Sequence, residues 1–187
     1  AKACKNVFVP ITVGGGIRKI EDIQTALNAG ADKIAINTKA VRNPNFITEA
    51  SKTFGSQCIV SSIDAKKIAE NKWEVYVDNG REPTGKDVLD WAQEVVTLGA
   101  GEIMLTSIDK EGTKKGFDIE LNKMVSELVN IPIISSGGAG KNKDVADVIQ
   151  NTNIDAVAIA SLFHYNMESI DALKKYLVND KSIQIRL

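Results

Sequence analysis

Two glycine-rich loops and two aspartates hold most of the chemistry this sequence could perform. The first loop is the triplet Gly14–Gly16 within ITVGGGIRKIEDI, and the second is GGAG over 137–140. A glycine turn that opens onto a helix start turns backbone N–H groups outward, which is how proteins cradle anions such as phosphate. Either loop alone reads equally well as a tight turn. Each, however, is followed one unit later by a small polar strand end, Asn37-Thr38 for the first and Ala160-Ser161 for the second. The pairing points to two phosphate sites and to a long substrate with a phosphate at each end. Neither loop has the spacing of a dinucleotide fingerprint or a P-loop.

Asp64 closes the apolar run QCIVSSID, and Asp109 closes EIMLTSID. A partly desolvated carboxylate at a strand end can serve as general acid or base. It can equally cap a helix or join a loop ion pair, and Lys110 beside Asp109 favours that second role there. Ser61, Ser62, Thr106 and Ser107 sit near the same ends, and strand alternation turns one of each pair inward. In the loop KEGTKKGFD, Gly112 can bring backbone close to a phosphate. His164 is the single histidine and lies beside Phe163 and Tyr165; a loop or packing role is expected, with no Ser/His/Asp triad. Lys33 and Glu102 open their strands, and spacing alone reads them as a surface salt bridge.

Composition narrows the field. The formal net charge is −1, so no basic footprint argues for nucleic acid. No apolar run approaches the ~18–20 residues of a membrane span, and no stretch reads as a signal peptide. Cys4 and Cys58 are read as reduced thiols of a cytoplasmic protein. No Cys/His cluster suggests zinc, and neither a metal nor a cofactor is expected.

These groups need elements to position them. Strand-like runs are expected at 7–13, 32–37, 57–64, 102–109, 131–136 and 154–161. Helical patterns are expected at 20–30, 43–55, 86–101, 119–130, 143–150 and 167–179. Residues 65–80 alternate like a two-stranded hairpin, with loops at 81–85 and 110–118. Six strand-then-helix units with Val/Ile-rich strands imply an α/β fold with a parallel sheet. An internal repeat favours a (β/α)8 TIM barrel over an open doubly wound sheet: residues 9–38 align with 131–161, matching Pro10 with Pro132, Gly15-Gly16 with Gly137-Gly138, Asp22 with Asp144 and Asp32 with Asp155. The chain is expected to form one domain over 1–187 with six of the eight units. Two further units, roughly 70 residues by the usual barrel size of ~250, are expected to precede the sequence. Barrel active sites lie at the C-terminal ends of the strands, which is where Asp64 falls.

VGGGIR, GADKIAINT, FGSQCIVSSIDAKK, GREPTG, GAGEIMLTSIDKEGTKKGFD, PIISSGGAG and ASLFH together closely resemble the cyclase subunits of imidazole glycerol phosphate synthase, a family of histidine biosynthesis. The resemblance covers essentially the whole chain, and the two SID segments separate it from the sister isomerase barrel. It implies a lyase that joins ammonia to a phosphoribulosyl-formimino-aminoimidazole carboxamide ribonucleotide and releases imidazole glycerol phosphate and AICAR. It implies a heterodimer with a glutaminase subunit, whose ammonia travels through the barrel. By the same resemblance Asp64 is catalytic. Gly16, Asn37 and Thr38 belong to one phosphate site, and Gly112, Gly137, Gly138, Ala160 and Ser161 to the other. Thr106 and Ser136 contact substrate, and Lys33 and Glu102 belong to the ammonia gate, a role that replaces the plain salt bridge. Glu111 stands where the family has aspartate and is expected as a substrate contact. The family's second catalytic aspartate, in a D-x-x-x-G segment, has no counterpart in the sequence. Two other readings stay open: a paralogous ammonia-using barrel that modifies surface sugars, and an inactive barrel fragment or scaffold.

Overall fold

Runs of Ile, Val and Ala with helical stretches between them fold as parallel strands under helices. The computed structural model describes residues 7–185. Its elements in chain order are β1 (Thr12–Gly14), α1 (Ile20–Asn28), β2 (Lys33–Ile36), α2 (Thr38–Arg42), α3 (Asn45–Phe54), β3 (Ile59–Ala69), β4 (Lys72–Val77), β5 (Glu82–Asp87), α4 (Val88–Thr97), β6 (Glu102–Ser107), α5 (Ile119–Leu128), β7 (Ile133–Ser136), α6 (Asn142–Asn151), β8 (Ala156–Ala158), α7 (Ser161–His164) and α8 (Ile170–Lys175). Six strands pair in parallel in the order β1-β2-β3-β6-β7-β8. That is a half-barrel with six of the eight strands of a (β/α)8 TIM barrel, as the repeat implied.

Alternation along the strands separates two faces. Ile34, Ile36, Ile63, Ile103, Leu105 and Ile133 are buried in the apolar core. Thr12, Ala35, Ser62, Met104 and Ile134 instead line the concave side. The register carries the consequence for function: Asp64 pairs with Thr106, Thr106 with Ser136, and Ser136 with Ala158. One row across four strands therefore holds Asp64 and Thr106, singled out by type, and Ser136, given by the resemblance, and ends on Ala158.

The internal repeat is also a repeat of hydrogen bonds. Asp22 accepts the N–H groups of Arg18 and Lys19 at 2.9 and 3.1 Å. Asp144 accepts those of Gly140 and Lys141 at the same distances. Asp32 takes the Ile11 N–H at 2.8 Å and Asp155 the Ile133 N–H at 2.9 Å. The first pair fastens each glycine loop to the helix it opens; the second fastens the start of each repeat's first strand.

Four expectations need correcting. The first strand is only Thr12–Gly14, and Phe8 before it is 98% exposed. The composition of residues 81–85 implies a loop, yet Glu82–Asp87 forms β5 on the hairpin, paired with β4 alone. Pro83 and Gly85 argue against a strand, but an edge position tolerates a residue with no N–H to donate. Short helices α2 and α7 follow β2 and β8 where strand ends were read. The last helix is α8, continued by a π-helical turn over Tyr176–Asp180.

Candidate active site

The concave face holds a cavity of about 1140 Å³ at the C-terminal strand ends. Gly14–Gly16 and Arg18 wall one side, Asn37, Thr38, Lys39 and Arg42 another, and Asp64 and Thr106 stand on its floor. Gly15 and Gly16 have φ of +91° and +73°, and a side chain added at either would meet nothing within 4 Å. The first glycine loop thus presents bare backbone to open space, in a conformation that glycine adopts without strain.

Asp64 is half-buried beneath this loop. Burial pushes its carboxyl above the usual carboxylate range, and an N–H from Asn37 partly opposes that shift. The donor is Asn37 Nδ2, 2.9 Å from Asp64 Oδ2, and the same nitrogen lies 3.2 Å from the Tyr76 carbonyl of β4. A carboxyl pushed above its ordinary range, in a cavity with cationic walls, suits general acid–base work.

A second cavity, of about 50 Å³, is lined by Glu111, Gly112, Lys114, Ser136, Gly138, Ala160 and Ser161. Ala158 lines both cavities. The glycines here have a different task. A Cβ on Gly138 would run into the Gly116 carbonyl, and one on Gly137 would lie 2.9 Å from the Ser107 carbonyl. Gly116 donates its N–H to the Gly138 carbonyl at 2.8 Å. This glycine loop is packed under the 110–116 loop, whereas the first stands free.

The structure therefore gathers Gly16, Asn37, Thr38, Asp64 and Thr106 in one cavity, and Glu111, Gly112, Ser136, Gly138, Ala160 and Ser161 in a neighbouring one. Gly137 lies against Glu111, with Glu111 Oε2 3.3 Å from where its Cβ would be. Asp109 serves the scaffold, accepting the Lys67 N–H at 2.7 Å. Ser61 and Ser107 are buried, and Ser107 Oγ donates to Asp118 Oδ2 at 3.3 Å. His164 is exposed, edge-on to Tyr165. Cys58 is a free thiol, and Cys4 lies outside the described residues. At the opposite strand ends Lys33 Nζ donates to Glu102 Oε2 at 2.9 Å, with the side chains 33% and 14% exposed.

Residues 1–169 match the family of histidine biosynthesis proteins. Imidazole glycerol phosphate synthase subunit HisF of Bacillus cereus (strain G9842) is 50% identical over 186 residues, spanning 100% of this chain and 73% of that protein. The chain belongs to the histidine biosynthesis protein family. Within a histidine biosynthesis protein, three features of this site were not read from the sequence. Asp78 and Asn79 of the β4–β5 turn reach the large cavity, held there by Arg42, which pairs with Asp78 and Glu82 at 3.2 and 2.9 Å. Thr38 Oγ1 accepts the Asp78 N–H at 3.1 Å. Lys114 brings a cation to the small cavity, its Nζ 4.6 Å from the Tyr165 ring centroid. The loop sequence carried the lysine, but its place depends on the fold of residues 110–117 over the second glycine loop. No helix among the described residues is long and apolar enough to cross a membrane.

Proposed function

We propose that this chain is a cyclase subunit of imidazole glycerol phosphate synthase. In this reading it joins ammonia to the phosphoribulosyl-formimino-aminoimidazole carboxamide ribonucleotide and releases imidazole glycerol phosphate and AICAR. The observation that carries the reading is the row Asp64–Thr106–Ser136–Ala158, which runs from the large cavity to the small one and sets an acid–base carboxyl between two glycine loops. A substrate with a phosphate at each end spans that row. The open backbone at Gly15 and Gly16, with Thr38 and Arg18 beside it, takes one phosphate. Gly112, Gly138, Ala160, Ser161 and Lys114 take the other. Glu111, an acceptor, suits sugar hydroxyls rather than phosphate.

Asp64 in its protonated form donates to the ribulosyl carbonyl oxygen as ammonia adds to the carbon. Its carboxylate then takes a proton back from the nitrogen adduct, ready for the cleavage and ring closure that follow. Thr106, one strand over in the same row, hydrogen-bonds the reacting arm. A glutaminase partner that supplies ammonia would dock at the opposite strand ends, where Lys33 and Glu102 form their ion pair. A cytoplasmic setting accords with such an enzyme and with the free Cys58.

The test is turnover of the bis-phosphate substrate with saturating ammonium salt. It is run on this chain alone, and on this chain joined to the part of the Bacillus relative that it does not match. Product that disappears in Asp64→Asn supports the reading. Absence of product in both forms, or product that Asp64→Asn leaves unchanged, overturns it.

A further inference from the structure

The side-chain amide of Asn37 is committed in a way that a phosphate ligand would not explain. Its Nδ2 stands 2.9 Å from Asp64 Oδ2 and 3.2 Å from the Tyr76 carbonyl, two acceptors on two different strands. Both N–H groups are used. Its Oδ1 is buried with no hydrogen-bond partner among the described residues. Turned over, the amide would set that oxygen against the Tyr76 carbonyl, so the observed orientation is the one that lets both oxygens accept. The side chain has no N–H left for a phosphate oxygen.

We infer that Asn37 is the positioning residue of Asp64: it holds one carboxylate oxygen from behind, anchors it to the hairpin through Tyr76, and leaves the other oxygen for proton transfer. Asp64 Oδ1 has no hydrogen-bond partner among the described residues, in keeping with that division. The inference rests on the reading of Asp64 as acid and base. Two opposing effects then set its proton affinity. Burial favours the protonated acid, and the Asn37 N–H favours the carboxylate. Charged groups on the surrounding elements are Arg18 after β1, Lys39 and Arg42 on α2, and Asp78 after β4, all lining the same cavity, with Lys66 farther along β3 and Glu74 on β4. Tyr76 is the titratable neighbour on β4, and the facing residue of β6 is the uncharged Thr106.

Asn37→Leu keeps the γ-branched shape, is somewhat larger, and removes both donors. The experiment follows the Asp64 side-chain carboxyl by carbon NMR across pH in the chain labelled at aspartate, with Asp64→Asn identifying the signal. The Asp64 midpoint is expected to rise in Asn37→Leu. An unchanged or lowered midpoint overturns the inference, as does a turnover defect confined to KM. Should Asn37→Leu fail to fold, the unmodified chain decides. Its Asn37 side-chain amide resonance is expected to move with the Asp64 midpoint and to lose that step in Asp64→Asn; a flat amide overturns the proposal. A merely structural asparagine would show neither effect. These titrations need no substrate, so their failure is distinguishable from failure of the turnover test.

Discussion

A carboxyl that folding pushes upward is poised for proton transfer and is a local burden on the fold. Asp64 binds its proton more tightly in the folded chain than in the unfolded chain, because burial disfavours its charge. Between the unfolded value and the higher folded one, the folded state holds more proton, so stability falls as pH rises through that window and stays lowered above it. Asp64→Asn removes the buried charge and keeps an acceptor for Asn37. The expected result at neutral pH is a melting temperature equal to or above that of the unaltered chain, together with turnover lowered by about 10²–10⁴-fold, the usual span of a general acid–base group. Thermal unfolding beside a turnover assay checks both halves. A variant that loses activity and stability together would mark Asp64 as a packing residue instead. Asp22 shows the opposite sign. The N–H of Arg18, with that of Lys19, draws its carboxyl below the usual range, so its contribution is present above the unfolded value and fades as pH falls through the folded one.

At the scale of elements, the two glycine loops have one sequence pattern and two physical tasks. Gly15 faces open space at positive φ, so Gly15→Ala incurs mainly the left-handed backbone, about 1–2 kcal/mol. Gly138→Ala adds a collision with the Gly116 carbonyl and must part the two loops that enclose the small cavity. Denaturant unfolding is expected to show a larger loss for Gly138→Ala than for Gly15→Ala, and equal losses would refute the packed-loop account. The capping aspartates give a companion prediction. Asp144 is nearly buried and accepts two N–H groups, so Asp144→Ala is expected to cost about 1 kcal/mol or more by the same measurement. The sequence showed both loops, both aspartates and the strand order, because apolar runs, glycine and the repeat are local signals. It did not show that one glycine loop is covered, since the cover comes from residues 110–116, on another loop. Nor did it show β5, where Pro83 and Gly85 mimic a turn and only the edge position makes a strand possible. The hold of Asn37 on Asp64 joins residues 27 apart along the chain, and nothing in either local pattern announces it.

For the whole molecule, the deciding feature is that the parallel sheet has two ends. Among the described residues β1 pairs only with β2, and β8 only with β7. Each leaves a row of backbone donors and acceptors unpaired, next to exposed apolar side chains: Phe8 and Val9 before β1, and Tyr165, Met167 and Ile170 after β8. Unpaired edges of this kind recruit other strands, and a closed barrel removes them. The 20.2 kDa chain by itself is therefore expected to self-associate, with light scattering giving a mass well above the single-chain value. Supplying the part of the Bacillus relative that this chain does not match should satisfy both edges, because that part carries the remaining length of a protein whose other 73% aligns here. The expected change is a shift to one stable species with one copy of each piece, higher cooperativity in unfolding, and tighter binding of the bis-phosphate substrate as the added strands enclose the cavity. A chain that is monomeric alone, and that ignores the added piece, would mean that the six-stranded sheet satisfies its own edges and that its cavity is already complete.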